Sequence, residues 1–200
     1  EIENFPIYLL LGLITYNFYK NATNIALASL SNRSSLITQI YFPRSIPAIS
    51  SCITASIMLL VELSILGVFM AVLGFTPPIT IIYLIPIYIL GFVFVIGLSL
   101  GLSVLNVKFK DIEFIWGIIL HAGFFLTPIF YRFDFLPQYV RDILMLSPVV
   151  QLVTMTHHVA IYGTLPSINS ILYTIGSIFI ILGIGYLIFR RYQARIVEEM

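Results

Sequence analysis

Charge is scarce in this chain: of 200 residues, ten are Lys or Arg and nine are Asp or Glu, together 10%. A water-soluble domain carries about a quarter charged residues, so a soluble fold is excluded. Cysteine is scarcer still. Cys52 stands alone, which rules out an internal disulfide and any cysteine-rich metal site and leaves it as a small packing residue. No GxxxxGK[S/T] run occurs, so the chain has no phosphate loop with which to hydrolyse a nucleotide. The formal net charge of +1 says nothing about partners, and we expect no nucleic acid among them. What abounds is hydrocarbon: 60% of residues are hydrophobic and the mean hydropathy is +1.04. The composition is that of an all-α integral membrane protein.

A helix needs about 20 mostly apolar residues to cross the roughly 30 Å hydrocarbon core. Five segments qualify as expected spans: 5–28, 46–73, 79–105, 114–131 and 168–189. The first is weakened by Lys20, Asn21 and Asn24, the third carries no charge, and the fourth is short. The connections among the first four are brief, so residues 1–200 read as one transmembrane domain. Loop 29–45 joins the first two spans, and a longer apolar, turn-rich stretch, 132–167, precedes the last.

Numbering the loops alternately places Arg33, Arg44, Lys108, Lys110, Arg190, Arg191 and Arg195 on one side, with Lys20 able to snorkel there, and only Arg132 and Arg141 on the other. Basic residues gather in cytoplasmic loops, so the first side and the C-terminus are expected inside, in a multi-pass protein of the cytoplasmic (inner) membrane. Five spans then put residue 1 outside. Residue 1 is Glu, with no basic leader before the first apolar run, and we expect a sixth span upstream.

Two loops on the basic side are patterned. In "SLSNRSSLITQIYFPRS", Ser31 or Asn32 can cap a short helix, Leu36, Ile37 and Ile40 give it an apolar stripe, and Pro43 stops it. The second, "NVKFKDIEF", mixes Lys108 and Lys110 with Asp111 and Glu113. Both loops could simply turn and anchor the chain, or form a docking surface for a cytosolic partner, where aromatic and Arg residues dominate binding.

Three stretches in the same order resemble one family. "NRSSLITQIYFPRSIPAIS" is similar to the cytoplasmic signature of the ABC-2 type exporter permeases, in the branch that exports polysaccharides and polyol phosphates. "GLSLGLSVLNVKFKDIEFIWGIIL" resembles that family's connection between its fourth and fifth spans, and "FFLTPIFYRFDFLP" with "LSPVVQLV" its extracellular re-entrant region. The resemblance implies that the first loop is a coupling helix resting in a groove of a separate ATPase subunit. The coupling contacts would be Asn32, Leu36, Ile40, Tyr41, Phe42, Pro43 and Arg44, with Asn106, Lys108, Lys110 and Asp111 from the second loop. It also implies a homodimer with two ATPase copies, ATP and Mg bound by the ATPase, no cofactor on this chain, and a catalytically inactive membrane subunit.

Several single residues draw attention. The stretch 132–167 holds Pro137, Pro148 and Pro166 and is too broken to span twice, yet its apolar residues avoid water. A pair of short helices dipping into the outer side would satisfy both demands; a loop lying on the surface is the other option. His157 and His158 stand near where the family usually has an Arg, and two adjacent histidines alone make no metal site. Tyr and Phe number 12 and 16, with one Trp, and most suit a lipid-facing belt. By resemblance, Tyr16, Phe18, Trp116, Phe124 and Tyr131 are candidates for the substrate path, since sugar C–H faces stack on rings. Glu62, near the middle of the second span, is expensive in hydrocarbon at about 2.5–3.5 kcal/mol. It must be protonated, paired or wet, with Lys20 and His121 as possible partners, and it joins the path candidates. Gly97 with Gly101, and Ala48, Cys52 and Ser56, form small-residue faces for close helix packing.

The expected function is the permease subunit of an ATP-driven exporter moving a lipid-linked polysaccharide, such as an O-antigen, capsule or teichoic-acid-like polymer, across the bilayer. The alternatives are an ABC-2 type exporter of drugs or small lipids, and an ion-coupled secondary transporter using Glu62. The latter predicts internal repeats, and none is evident.

Overall fold

The computed structural model describes residues 4–30, 43–109 and 111–193, apart from the side chain of Asp134. Among these residues all the regular structure is helical, without strands. Seven α-helices follow one another: α1 (Phe5–Ser29), α2 (Ser45–Val72), α3 (Leu84–Lys108), α4 (Ile112–Leu126), α5 (Gln138–Leu144), α6 (Pro148–His157) and α7 (Ile168–Tyr192). Proline punctuates this order: Pro6 lies in the first turn of α1 and Pro148 in that of α6, where the missing N–H costs nothing. A 3-10 turn, Ile79–Tyr83, leads into α3, and a wider π turn, His158–Tyr162, extends α6 until Gly163, at φ 66°, ends it.

Among the described residues three helices are long and apolar enough to cross a bilayer: Ser45–Val72, Ile79–Lys108 and Ile168–Tyr192. The fourth expected span, 114–131, is instead a helix of 15 residues, or about 22 Å. It stops at Leu126 because Thr127 precedes Pro128, and a residue before proline is pushed out of helical geometry. The first expected span is helical over 25 residues, yet it is the least apolar of the long helices. Its position explains this: α1 packs against α2, α3 and α6 and buries Ile7, Leu11, Ile14, Phe18, Ala22 and Ala26.

The outward faces of α2 and α7 are hydrocarbon, with Ile57, Leu60, Ile65 and Val68 on one and Phe179, Ile180, Ile184 and Leu187 on the other, all exposed. Inside, small residues set the crossings. On α2 the buried stripe is Ala48, Cys52 and Ala55, so Ala55 takes the place expected of Ser56. There the Cys52 thiol meets Ser99 of α3 at 3.3 Å. Where α3 crosses α7, Gly97 and Gly185 touch backbone to backbone: a Cβ on Gly185 would lie 1.8 Å from the Gly97 carbonyl oxygen, and one on Gly97 would lie 2.6 Å from Leu182 Cα. Gly101 faces Gly185 more loosely, at 3.4 Å.

Helices α5 and α6 are bent by 108° across a short break. α6 is held in the bundle by its far end. His157 is 2% exposed, stacks on Tyr8 of α1 with ring centroids 3.8 Å apart, and donates from Nε2 to the Tyr8 carbonyl oxygen at 3.0 Å. Gly12 leaves room for this imidazole, since a Cβ there would stand 3.2 Å from Nε2. The Tyr8 hydroxyl reaches the carbonyls of Pro128 and Tyr131 at 3.1 and 2.8 Å, tying the turn after α4 to the same point. The π turn is fastened too: the Thr80 hydroxyl donates to the Val159 carbonyl at 2.6 Å, an oxygen that widened helical geometry frees from its usual i+4 partner.

Two stability outcomes follow. Gly185→Ala should lower the thermal midpoint of the detergent-solubilised protein, because overpacking a close crossing costs about 1–3 kcal/mol. Gly183→Ala, where an added Cβ meets nothing within 4 Å, should leave it unchanged; equal effects would remove the crossing from the account. His157→Ala should cost about 2 kcal/mol for the lost buried stack and hydrogen bond. His158→Ala should cost less, since that half-buried imidazole meets the Thr164 hydroxyl at 2.9 Å and the Tyr162 ring edge to face within its own turn.

Candidate functional site

The spacing of Tyr16 and Tyr19 puts both on one side of α1, and that of Trp116, Leu120 and Phe124 puts them on one side of α4. The two sides meet. Trp116 and Tyr19 rings are edge to face at 6.1 Å, Tyr19 and Tyr16 at 5.7 Å, Tyr16 and Phe124 at 5.4 Å, and Phe124 and Phe130 at 5.1 Å. The result is a ladder of rings along the α1–α4 seam. Phe94 of α3 backs it, stacked on Tyr19 at 5.7 Å. The Tyr16 hydroxyl donates to the Leu120 carbonyl oxygen, which fixes the register of the two helices. The indole Nε1 of Trp116 is enclosed without a hydrogen-bond partner.

Beside the ladder runs a groove of about 230 Å³ lined by Leu13, Tyr16, Asn17, Lys20, Leu120, His121 and Phe124. Asn17, Lys20 and Asn24 recur at i, i+3 and i+7 on the accessible side of α1, with Lys20 and Asn24 exposed. His121 is exposed on α4, and its Nδ1–H donates to the Gly117 carbonyl oxygen at 2.8 Å. Unlike the faces of α2 and α7, this one combines rings with amide, ammonium and imidazole groups.

Of the residues expected on the path, the structure brings Tyr16, Trp116 and Phe124 together here. Tyr131 lies in the turn that follows α4, its hydroxyl donating back to the Leu126 carbonyl at 2.8 Å. Phe18 does not join them. It is buried on the opposite side of α1, edge to face with Tyr88 at 6.5 Å. Glu62 lies on α2, its Oε2 enclosed without a partner, while Lys20 and His121, the partners considered for it, line the α1–α4 groove. Tyr19, central to the ladder, was not among the expected residues. Its i+3 spacing from Tyr16 was visible, but which helix would face it was not. Among the described residues no three His, Cys, Asp or Glu side chains gather to hold a metal ion.

Asn32, Leu36, Ile40, Tyr41, Phe42 and Lys110, expected from the resemblance to couple to an ATPase, lie outside the described residues. The flanks are described. Leu30, Ala48, Leu100, Val104 and Phe189 form one buried cluster, so the end of α1 and the first turn of α2 pack together there. Pro43 and Arg44 lead directly into α2. Asn106, 7% exposed, donates from Nδ2 to the Leu27 carbonyl oxygen at 3.0 Å. Lys108 lies over the Tyr192 ring at 4.4 Å, and Asp111 occupies the N-cap of α4 without capping it.

Comparison with known proteins agrees with this architecture. The sequence profile described as "ABC-2 type transporter" matches residues 2–160. Two curated proteins from Klebsiella pneumoniae, each called O-antigen export system permease protein RfbA, are 28% and 27% identical to the chain over 200 residues, 99% of this chain and 76% of theirs. A protein of the same name from Myxococcus xanthus is 25% identical over 156 residues, 77% of this chain and 60% of its own length. The profile match runs through the α1–α4 groove, both flanks of the 31–42 segment and α6, and the chain therefore belongs to the ABC-2 type transporter family, as a multi-pass membrane component of transport.

Proposed function

We propose that the chain is the permease subunit of an ATP-driven exporter that carries a lipid-linked polysaccharide out across the cytoplasmic membrane. It would act as a homodimer with two copies of a separate ATPase. The observation that carries this reading is the ring ladder beside a polar groove. Aromatic faces bind the C–H faces of sugars without demanding one fixed set of hydrogen bonds, which suits a repeating polymer in motion. The relatives named O-antigen permeases support the same substrate class. A purely apolar cargo would have no use for Asn17, Lys20 or His121.

In this reading the α1–α4 face is the inner face, opposed to its copy across a two-fold axis. α4 buries only Leu120 and, at 15 residues, is short for a lipid-surrounded span, so a second permease copy suits its surroundings better than hydrocarbon does. The spans number five: α1, α2, α3, α4 and α7. The bent pair α5–α6 is a re-entrant element on the outer side, since seven residues cannot cross and α6 is buried against α1. The end bearing Arg44, Lys108, Arg190 and Arg191 is cytoplasmic, and the 31–42 segment couples to the ATPase. Because Leu30 and Ala48 share one buried cluster and the two helices pack along their length, a push on that segment would move α1 and α2 together.

The test uses the full-length permease co-expressed with its ATPase. Phe42→Ala with Arg44→Ala should abolish co-purification of the ATPase and stop polymer export while membrane insertion persists. Trp116→Leu should retain the ATPase and lower export about tenfold or more, on the scale of a lost stacking contact of 1–3 kcal/mol. Retention of the ATPase in the first variant, or full export by the second, would contradict the respective assignment.

A further inference from the structure

α2 packs chiefly on α1, and α3 chiefly on α7. Where the two part, along the stretch of α3 remote from Lys108, a cleft of about 450 Å³ opens between them. Leu60 and Leu63 of α2 and Ile85, Ile89 and Phe92 of α3 form its walls. Its floor is deep: Phe18 of α1 is 4% exposed and Leu59 of α2 is 5% exposed. Along α3 the cleft runs from Leu84 to Phe92, eight residues or about 12 Å. That is close to one leaflet's half of the roughly 30 Å hydrocarbon core.

Nothing in the cleft asks for water. Hydroxyls at Ser56 and Tyr88 line it, and both have spent their protons. Ser56 donates to the Cys52 carbonyl oxygen at 2.9 Å. Thr15 gives its proton to the Leu11 carbonyl at 2.8 Å, so the Tyr88 hydroxyl, 3.1 Å away, donates to the Thr15 oxygen. Among the described residues no charged or amide side chain lines the cleft. A buried water needs about two to four polar partners, and an empty space forfeits the dispersion contacts of its lining. A hydrocarbon chain avoids both costs. The lip of the cleft also continues the lipid-facing surface, since Leu60 and Ile57, three residues apart on α2, are both exposed. With no group to select a rarer head group, mass action favours the lipid that the bilayer holds in excess.

We propose that the α2–α3 cleft is a resident lipid site, in which one acyl chain of a bilayer phospholipid lies against Phe18 with protein on three sides. The site depends on the protein's place in a bilayer and not on its cargo. The acyl chain backs Tyr88, whose bond to Thr15 ties α3 to α1.

The experiment uses the full-length permease with its ATPase in proteoliposomes of phosphatidylethanolamine and phosphatidylglycerol. A tracer phosphatidylethanolamine carries a photoactivatable diazirine on one acyl chain, and labelled residues are located by peptide mass spectrometry. Lipid that merely surrounds the protein labels Ile184 and Leu187 of α7 as readily as Leu60 and does not reach the floor. A resident chain labels Phe18 and Leu59. Ser56→Trp, which fills the cleft, should lower labelling of the floor about tenfold or more, because a close-packed space excludes the chain. Ile57→Trp, outside the cleft, should leave it unchanged. Ile85→Trp fills the cleft from the opposite wall and should act as Ser56→Trp does, which separates filling from a fault in folding. Absence of label on Phe18 and Leu59, or label there that neither filling variant lowers, would overturn the site. Loss of that label on adding a small mole fraction of polyprenyl phosphate, but not of extra phosphatidylethanolamine, would overturn the phospholipid assignment and give the cleft to an isoprenoid chain.

Discussion

A helix that carries Asn17, Lys20, Asn21 and Asn24 cannot be surrounded by hydrocarbon, and the arrangement of the other helices follows from that constraint. On one side α1 is enclosed by α2, α3 and α6, so its apolar residues form the centre of the bundle and not its surface. On the other side its polar stripe needs water, ligand or protein, because unsatisfied polar groups are costly in lipid. The helices that do face lipid, α2 and α7, are free of this burden and expose branched and aromatic hydrocarbon. Their inner sides use small residues at the crossings, which suits a solvent where close backbone contact, not the hydrophobic effect, drives association.

The same helix joins the two ends of the molecule. At one end Tyr8 and His157 hold α6 and the turn after α4 to α1. At the other, Asn106 bonds the last turn of α1 to α3, and the cluster around Leu30 and Phe189 brings α3 and α7 in. In the proposed reading, a displacement of the end of α1 near Leu30 would reach the α1–α4 groove through these packed contacts and hydrogen bonds. Such tight interfaces shift between discrete arrangements more readily than they deform, which is what a transport cycle needs.

Much of this was legible in the sequence. The long apolar runs and the proline punctuation located the helices to within a few residues, and the break-rich 132–167 stretch did fold into short helices. The difficulty lay in direction. α2 and α3 are apolar nearly all round and α1 carries rings on several of its sides, so periodicity does not say which side faces the core. Phe18 and Tyr19 are neighbours, yet one step of about 100° puts the first in the core and the second on the ladder. The end of α4 was readable from Thr127-Pro128 and was masked by the apolar residues beyond it. Adjacent His157 and His158 were indistinguishable by composition; only the fold buries the first on Tyr8 and leaves the second half-buried.

The central claim is that the α1–α4 face opposes its own copy. Single cysteines scanned along α4, at Phe114, Ile118 and Phe125, and at the lipid-facing positions Ile65 and Ile184, all in a Cys52→Ala background, can be oxidised in native membranes. Disulfide-linked permease dimers are expected from the α4 positions and none from α2 or α7. Dimers from Ile65 or Ile184, with none along α4, would contradict it.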